Sequence, residues 1–359
     1  MTFRRTARFL GGVALVCVVL ALAPVAAIEG GCRGGSPANA PAIPLVADAG
    51  YSRPETNSYL SFPEWYIVYA YQDLAGILRD HDEGAFRYVP SIAGYWTSFC
   101  DLNRVASQHG AVARDEKVML YVIGLSFTAE MAIKGAYETT IGAAFAWLRG
   151  PILTPEDRFI HRMQSDYAAF LRQVPWYEYG FATKLGELLF DLPFGGGLRS
   201  IERRVALAME WGGKALYAQA IAALAGLAPA EERIGSVVSG PGVADVAKDP
   251  RIRVVRALPG GALLIDTPRY AAFTEIVAGL AARGLRIDEI AGNRAVLVTA
   301  LRRDGDTAPL PGAREIFSIP VQSRPGWRRV GLDAAVPELA ALVRTLAERG
   351  ADFEHVYDY

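Results

Sequence analysis

The spacing of apolar residues divides the chain into a helical part and a strand-rich part. Between residues 61 and 229, apolar positions recur every three to four residues and are bounded by capping and breaking signals, which predicts about six helices. Beyond residue 250 the period changes to two, which predicts strands. The predicted helices cover residues 61–80, 91–110, 116–149, 154–173, 178–191 and 199–227. The predicted strands cover 251–256, 262–266, 285–290, 295–301, 314–321, 328–332 and 352–357, with helices after Pro268 and near Pro337.

The strand-rich part contains an internal repeat. The sequence Leu-Ala-Ala-Arg-Gly at 280–284 returns as Leu-Ala-Glu-Arg-Gly at 346–350, and each copy leads from a helix into a strand. Glycine directly after a helix is the usual residue for a left-handed C-terminal turn. Two β-α-β halves of this kind predict a ferredoxin-like sandwich, with extra strand pairs at its edge. That fold hosts many functions and therefore implies none.

One apolar segment near the N-terminus predicts a membrane anchor. Residues 9–28 contain no charged side chain, and about 20 apolar residues match the thickness of a bilayer core. Arg4, Arg5 and Arg8 precede the segment, so the positive-inside rule predicts a single pass with the bulk of the chain outside the cytoplasm. A signal peptide cleaved after the small residues 25–27 and a lipoprotein modified at Cys32 are the alternatives.

These patterns together predict an α+β protein with five consecutive regions. They are a membrane anchor or signal segment (1–29), a flexible linker (30–56), an all-α helical domain (57–230), a second linker (231–250) and a ferredoxin-like α/β domain (251–359). The linkers are predicted from their Gly, Ala, Pro and Ser content and their lack of periodicity.

Charge and cysteine content narrow the class of protein. Lys plus Arg number 37 and Asp plus Glu 38 among 359 residues, so we expect no electrostatic binding to nucleic acid. The mean hydropathy of +0.17 is high, but residues 9–28 account for most of it. Cys32 and Cys100 would both face an oxidising compartment and could form a disulfide, but two unpaired thiols are the favoured interpretation.

The motifs of cofactor and metal sites are missing from the sequence. The glycine-rich stretches at 195–197 and 239–242 fit neither a P-loop nor a dinucleotide fingerprint. The four histidines show no metal-ligand spacing. We therefore predict no cofactor and no metal.

Aromatic clusters and a few polar residues are the candidates for ligand binding. Rings crowd the first two predicted helices and the junction at Pro175, where they can form a core, an interfacial belt or an aromatic pocket. Asp157 and His161 are one helical turn apart and can touch. The candidate ligand-binding residues are Trp65, Tyr66, Tyr69, Tyr95, Trp96, Glu130, Asp157 and His161.

Two other charged features have simpler explanations. Glu64 ends the motif Ser-Phe-Pro-Glu at 61–64, which predicts a capping box at the start of a helix rather than a catalytic acid. Glu130, Lys134 and Glu138 form a stripe at i, i+4 and i+8, which predicts the solvated face of an amphipathic helix. The alternative for the stripe is a polar line inside a bundle or along a lipid-facing cleft.

We therefore predict a membrane-anchored envelope protein, on the periplasmic side if it is bacterial. The absence of a catalytic constellation favours a non-enzymatic protein that binds a ligand, such as a lipid, or a partner at the membrane surface. The alternative is an enzyme acting on an apolar envelope substrate, with acid–base residues drawn from Glu64, Glu130, Asp157 and His161. A regulatory sensor built on the C-terminal domain is a third hypothesis.

Overall fold

The computed structural model describes residues 22–34, 43–225 and 232–358. The helices are α1 (Leu22–Gly31), α2 (Thr56–Leu60), α3 (Phe62–Ile77), α4 (Tyr88–His109), α5 (Arg114–Tyr137), α6 (Ala143–Arg149), α7 (Pro155–Phe170), α8 (Phe181–Gly186), α9 (Gly197–Ala225), α10 (Tyr270–Ala282) and α11 (Leu339–Glu348). The strands are β1 (Arg233–Ser239), β2 (Arg253–Ala257), β3 (Leu263–Pro268), β4 (Arg286–Ile290), β5 (Ala295–Arg303), β6 (Ala313–Pro320), β7 (Trp327–Ala335) and β8 (Asp352–Val356). A helical N-terminal part and a sheet-rich C-terminal part confirm the α+β prediction.

Two predicted helix starts have different outcomes. The start of α7 is confirmed, and it contains a capping box that was not predicted: the Thr154 hydroxyl accepts from the Asp157 backbone N–H and the Asp157 carboxylate accepts from the Thr154 backbone N–H. At the start of α3 the prediction is wrong, because α2 precedes it almost directly and Ser61 has helical backbone angles. The Ser61 hydroxyl donates to the carbonyl of Asn57 at 2.8 Å instead, so Glu64 has no capping role.

The C-terminal part consists of two four-stranded antiparallel sheets with the same topology. In chain order, the first half contributes β1–β3, α10 and β4 with the spatial order β2-β3-β1-β4, and the second contributes β5–β7, α11 and β8 with the order β6-β7-β5-β8. The repeat seen in the sequence ends each helix in the same way. Gly284 and Gly350 have φ of 75° and 67°, and the residue after each donates to Leu280 or Leu346.

The second sheet is covered on both faces. Its inner residues, such as Val298 and Val330, share a core with α10, the first sheet and α11, which contributes Leu342. Its other face contacts the helical part, where Phe317 meets Phe62 with ring centroids 4.5 Å apart. Buried Tyr357 also belongs to the core of the helical part. The helices and the second sheet therefore form one continuous hydrophobic interior.

The predicted linkers contain more structure than their composition suggests. In residues 43–55, which were predicted to be flexible, the Leu45 N–H donates to Glu289 and the Arg53 N–H donates to the carbonyl of Ala291. The region predicted as the second linker, 231–250, includes β1, which lies inside the first sheet between β3 and β4. An extended segment can form backbone hydrogen bonds without a regular spacing of apolar residues. The apolar spacing therefore did not reveal the structure of either predicted linker.

A disulfide fixes the end of α1 to the helical part. Cys32 and Cys100 of α4 are joined, with Cα atoms 5.1 Å apart. The Asn103 side chain donates to the carbonyl of Cys32 at 2.7 Å, and Lys117 forms an ion pair with Glu29 at 2.5 Å. Residues 9–21 of the predicted anchor lie outside the described residues, whereas 22–28 belong to α1.

Candidate functional site

An open cavity of about 500 Å³ lies between α3, α5 and α9, where the segment between α7 and α8 and the start of α10 also contribute. Its lining is mainly apolar and aromatic, and it includes Ile67, Val68, Val122, Ile123 and Trp176. The polar groups are few and lie on the surrounding elements. A mostly apolar wall with a few polar groups is typical of small-molecule sites.

Glu64 is the unpaired acid of the cavity. Its side chain opens into the cavity and, among the described residues, makes no hydrogen bond or ion pair. Glu64 is exposed to solvent through the open side of the cavity, but the protein packed around it still raises the pKa of its carboxyl group, while the positive charge of Arg269 acts in the opposite direction. Trp65 lies next to it in the chain and also lines the cavity.

Tyr270 reaches the cavity from the C-terminal part in a strained conformation. Its φ of 65° is in the left-handed region, which is unfavourable for a bulky residue. The Tyr270 N–H donates to the Asp358 carboxylate at 3.2 Å, and Arg269 forms an ion pair with the same carboxylate at 2.7 Å. Burial raises the pKa of Tyr270; the charge of Arg269 opposes this effect, whereas the charges of Asp358 and Glu64 add to it. Glu64 and Tyr270 are therefore electrostatic neighbours across the two parts of the molecule.

A cluster of charged side chains that pair with one another lies elsewhere on the cavity wall. Glu130 of α5 and Lys214 of α9 form an ion pair at 2.8 Å, and both contact the hydroxyl of Tyr71. Glu210 also pairs with Lys214, at 3.1 Å. Because these charges are matched, Glu64 is the acid of the cavity that lacks a protein partner among the described residues.

The charged stripe on α5 faces the interior, so the prediction of a solvated face is wrong. Lys134 pairs with Glu210 at 2.8 Å and with Glu83 at 2.7 Å. Glu138 pairs at 3.0 Å with the fully buried Arg203 of α9. The partners of these charges come from other segments rather than from the next turn of α5. The stripe therefore matches the alternative prediction, a polar line inside a bundle.

The structure brings two of the predicted ligand-binding residues into the cavity, Trp65 and Glu130. The hydroxyls of Tyr66 and Tyr95 donate to the carbonyls of Ser91 and Leu120, and the Trp96 indole donates to Thr128 at 2.9 Å. None of these three rings lines the cavity.

The other three candidates also lie elsewhere. Tyr69 is buried against the second sheet, where its hydroxyl contacts Thr299 and Tyr357. Asp157 caps α7 and pairs with Arg149 and Arg199, both at 2.9 Å. His161 is half-buried and does not line the cavity.

Sequence reasoning missed several residues that line the cavity. Lys214, Tyr217 and Tyr270 lie far along the chain from α3, and only the tertiary fold brings them together. The aromatic cluster at the Pro175 junction did signal Trp176 and Tyr177. For Glu64, the favoured prediction was a capping motif that does not form, and the acid was otherwise named only as an acid–base candidate of the enzyme hypothesis.

Three further observations bear on function. No group of three or more metal-ligating side chains occurs among the described residues. Within the same residues, one helical stretch, Arg114–Arg149, has the length and composition to cross a membrane. Comparison of the chain with known protein families, curated proteins and solved structures finds no match.

Proposed function

We propose that this protein binds an apolar, lipid-like ligand at the membrane surface of the cell envelope and does not change it chemically. The observation that carries the proposal is the open cavity of about 500 Å³, whose mainly apolar wall contains one unpaired carboxyl group, that of Glu64. Its volume falls within the usual range for ligand sites. An apolar body would fill the space between α3, α5 and α9, and a polar head group would contact Glu64.

The location at the membrane rests on the N-terminal segment. We infer a single-pass anchor at 9–28, with the bulk of the chain outside the cytoplasm. The disulfide between Cys32 and Cys100 supports an oxidising compartment, because cytosolic proteins rarely keep such bonds. The anchor would hold the cavity close to a source of apolar ligands.

Native mass spectrometry of the gently extracted full-length protein tests the proposal. We expect a co-purifying apolar molecule in the wild type and its loss in Ser126→Trp, because Ser126 lines the cavity and an indole there fills it. Ala132→Trp is the matched control, since Ala132 is exposed on the same helix and does not line the cavity. Binding of the apolar fluorophore N-phenylnaphthylamine should follow the same order. Equal binding by all three proteins would contradict the proposal.

An enzyme acting on an apolar substrate is the second candidate. It is supported by the presence of two acidic candidates, Glu64 and Glu130, in one cavity beside aromatic rings. A carboxyl group whose pKa is raised by burial can act as a general acid. A change in the mass of the bound molecule during incubation, abolished in Glu64→Gln, would favour this candidate over simple binding.

We also infer that the C-terminal part consists of two ferredoxin-like halves, each lacking the first helix of that fold. The strand order 2-3-1-4 within each half supports this assignment, as does the helix that connects the third strand to the fourth. A short helical turn (Val243–Lys248) stands where the first helix would be in the first half.

A further inference from the structure

We propose that the outer faces of α5, α6 and α9 lie in the membrane interface, as a second contact with the bilayer besides the N-terminal anchor. The inference rests on the proposed location at the membrane but not on a ligand in the cavity. It starts from the distribution of charge on these helices.

Every charged side chain in the central part of these helices faces inward. Residues 118–148 carry three charged side chains and residues 199–223 carry six, and none of the nine is exposed. The three on the first segment are Glu130, Lys134 and Glu138, and each pairs with a cation or anion of α9. A water-facing helix of a soluble protein has the opposite arrangement.

The outer faces are correspondingly apolar. Exposed large residues on α9 follow helical spacing, and those on α5 and α6 form a stripe that continues into the turn after α6. Between α5 and the turn after α6 they are Ile133, Ile141, Trp147, Leu148 and Ile152. On α9 they are Leu198, Ile201, Val205, Met209 and Leu216. Soluble proteins rarely expose so many large apolar side chains in one region, which marks contact with a membrane or a partner.

The bilayer is the favoured occupant for two reasons. Charged groups that face the bundle interior and pair with one another are characteristic of membrane-embedded helices. The position of α1 adds a second reason, because its Glu29 contacts Lys117 and Tyr121 at the start of α5. The helix that follows residues 9–21 of the predicted anchor is therefore attached at the start of α5.

The geometry favours helices that lie along the interface rather than cross the bilayer. The neighbouring α7 exposes Arg158, Ser165 and Asp166, so the bundle keeps a polar outer side. One apolar side and one polar side on the same bundle fit a contact that inserts only into the head-group boundary. Trp147, which is 80% exposed, would lie at the level where tryptophan is enriched.

Electron paramagnetic resonance of the full-length protein in vesicles of phosphatidylethanolamine and phosphatidylglycerol tests the inference. Nitroxide labels are attached to Ile133→Cys and Val205→Cys on the apolar faces and, as matched controls, to Ser165→Cys and Ala169→Cys on the exposed side of α7. All variants carry Cys17→Ala, so that only the introduced thiol is labelled. Two relaxation reagents are compared, oxygen, which concentrates in the bilayer, and a polar nickel chelate, which stays in water.

We expect oxygen to relax the labels at 133 and 205 several-fold more than nickel does, and the reverse at 165 and 169. Strong relaxation by nickel at all four sites would overturn the inference. Protection of 133 and 205 from both reagents would also overturn it, because that result indicates a protein partner or a second copy of the chain. Binding of N-phenylnaphthylamine is measured in parallel, so failure of the membrane contact and failure of the ligand site are distinguishable.

Discussion

At the scale of single residues, Glu64 decides what the cavity can bind. It is an acid without a partner among the described residues, and it lies beside the aromatic ring of Trp65 in a mainly apolar space. A carboxylate near aromatic rings suits a ligand whose head group donates hydrogen bonds or carries a positive charge. The raised pKa of Glu64 makes this preference dependent on pH.

We predict that Glu64→Gln removes the preference for a basic head group. Wild-type protein should bind dodecylamine more tightly than dodecanol at pH 8, and the variant should bind the two about equally, as measured by displacement of N-phenylnaphthylamine. The variant should not be less stable at pH 8. Because the folded-state pKa is raised, the stability that Glu64 contributes is present below its ordinary pKa and is lost as pH rises through the folded value. A lower melting temperature for the variant at pH 8 would contradict this account.

His109 gives the molecule a second dependence on pH. Its ring stacks on Tyr59 with centroids 4.8 Å apart, and its two nitrogens lie 3.4 Å from Glu55 and from Asp333. Burial alone would lower its pKa, but the two carboxylates raise it to about 9. Charged His109 therefore connects the end of α4 to β7.

We predict that stability falls on the order of 2 kcal/mol as this histidine loses its proton. The folded-state pKa exceeds the ordinary 6.5, so the contribution is fully present below pH 6.5 and is lost as pH rises through 9. Urea unfolding at pH 6 and at pH 9.5 measures the difference. His109→Gln should abolish most of it, whereas His81→Gln, at an exposed site, should leave it unchanged. If the difference in stability between pH 6 and pH 9.5 is unchanged in His109→Gln, other groups are responsible for it.

At the scale of elements, the disulfide between Cys32 and Cys100 closes a loop with a sequence separation of 68 residues. A cross-link of this length restricts the unfolded chain and contributes about 4 kcal/mol in the chain-entropy model. We predict that Cys100→Ser lowers the free energy of unfolding by roughly this amount under oxidising conditions. Under reducing conditions the wild type and the variant should unfold at similar denaturant concentrations. A variant as stable as the oxidised wild type would mean that the noncovalent contacts of Cys32 and Glu29 stabilise the fold without help from the disulfide.

The sequence allowed most elements to be predicted but not their partners. The period identified the long helices and the β-α-β repeat, because those patterns depend on neighbours in the chain. The polar stripe of α5 was misassigned, because a line of charged residues looks the same whether water or a second charged line faces it. The matching charges lie on α9, more than 60 residues away, so the sequence alone could not show that Lys134 meets Glu210.

The candidate site illustrates the same limit. Trp65 and Glu130 were predicted from local aromatic and charge patterns, and both line the cavity. Tyr270 was not predicted, because its position depends on a strained backbone that Asp358 and Arg269 hold in place. Chain neighbours carry no signal for such a conformation.

At the scale of the whole molecule, the second sheet joins the two parts through a shared hydrophobic interior, and we expect them to unfold together. Phe317 contacts Phe62 and packs over Gly331, where no side chain could be accommodated beneath the ring. We predict that Phe317→Ala lowers the free energy of unfolding by about 3–5 kcal/mol. The loss of helical circular dichroism and the change in tryptophan fluorescence should shift together. Separate transitions for the two signals would show that the parts unfold independently.

The disulfide at Cys32 also determines how mechanical load passes through the molecule. If the chain is anchored as proposed, a pull along α1 reaches a covalent bond to α4 before it reaches residues 43–55, which are attached to the first sheet by hydrogen bonds such as that from Leu45 to Glu289. Tension is therefore transmitted directly into the helical bundle that contains the cavity, while the sheet-bound segment is shielded from it. After reduction of this one bond, only noncovalent contacts such as the Lys117–Glu29 ion pair would carry the load from α1 into the bundle, and their failure would pass the force to the sheet-bound segment.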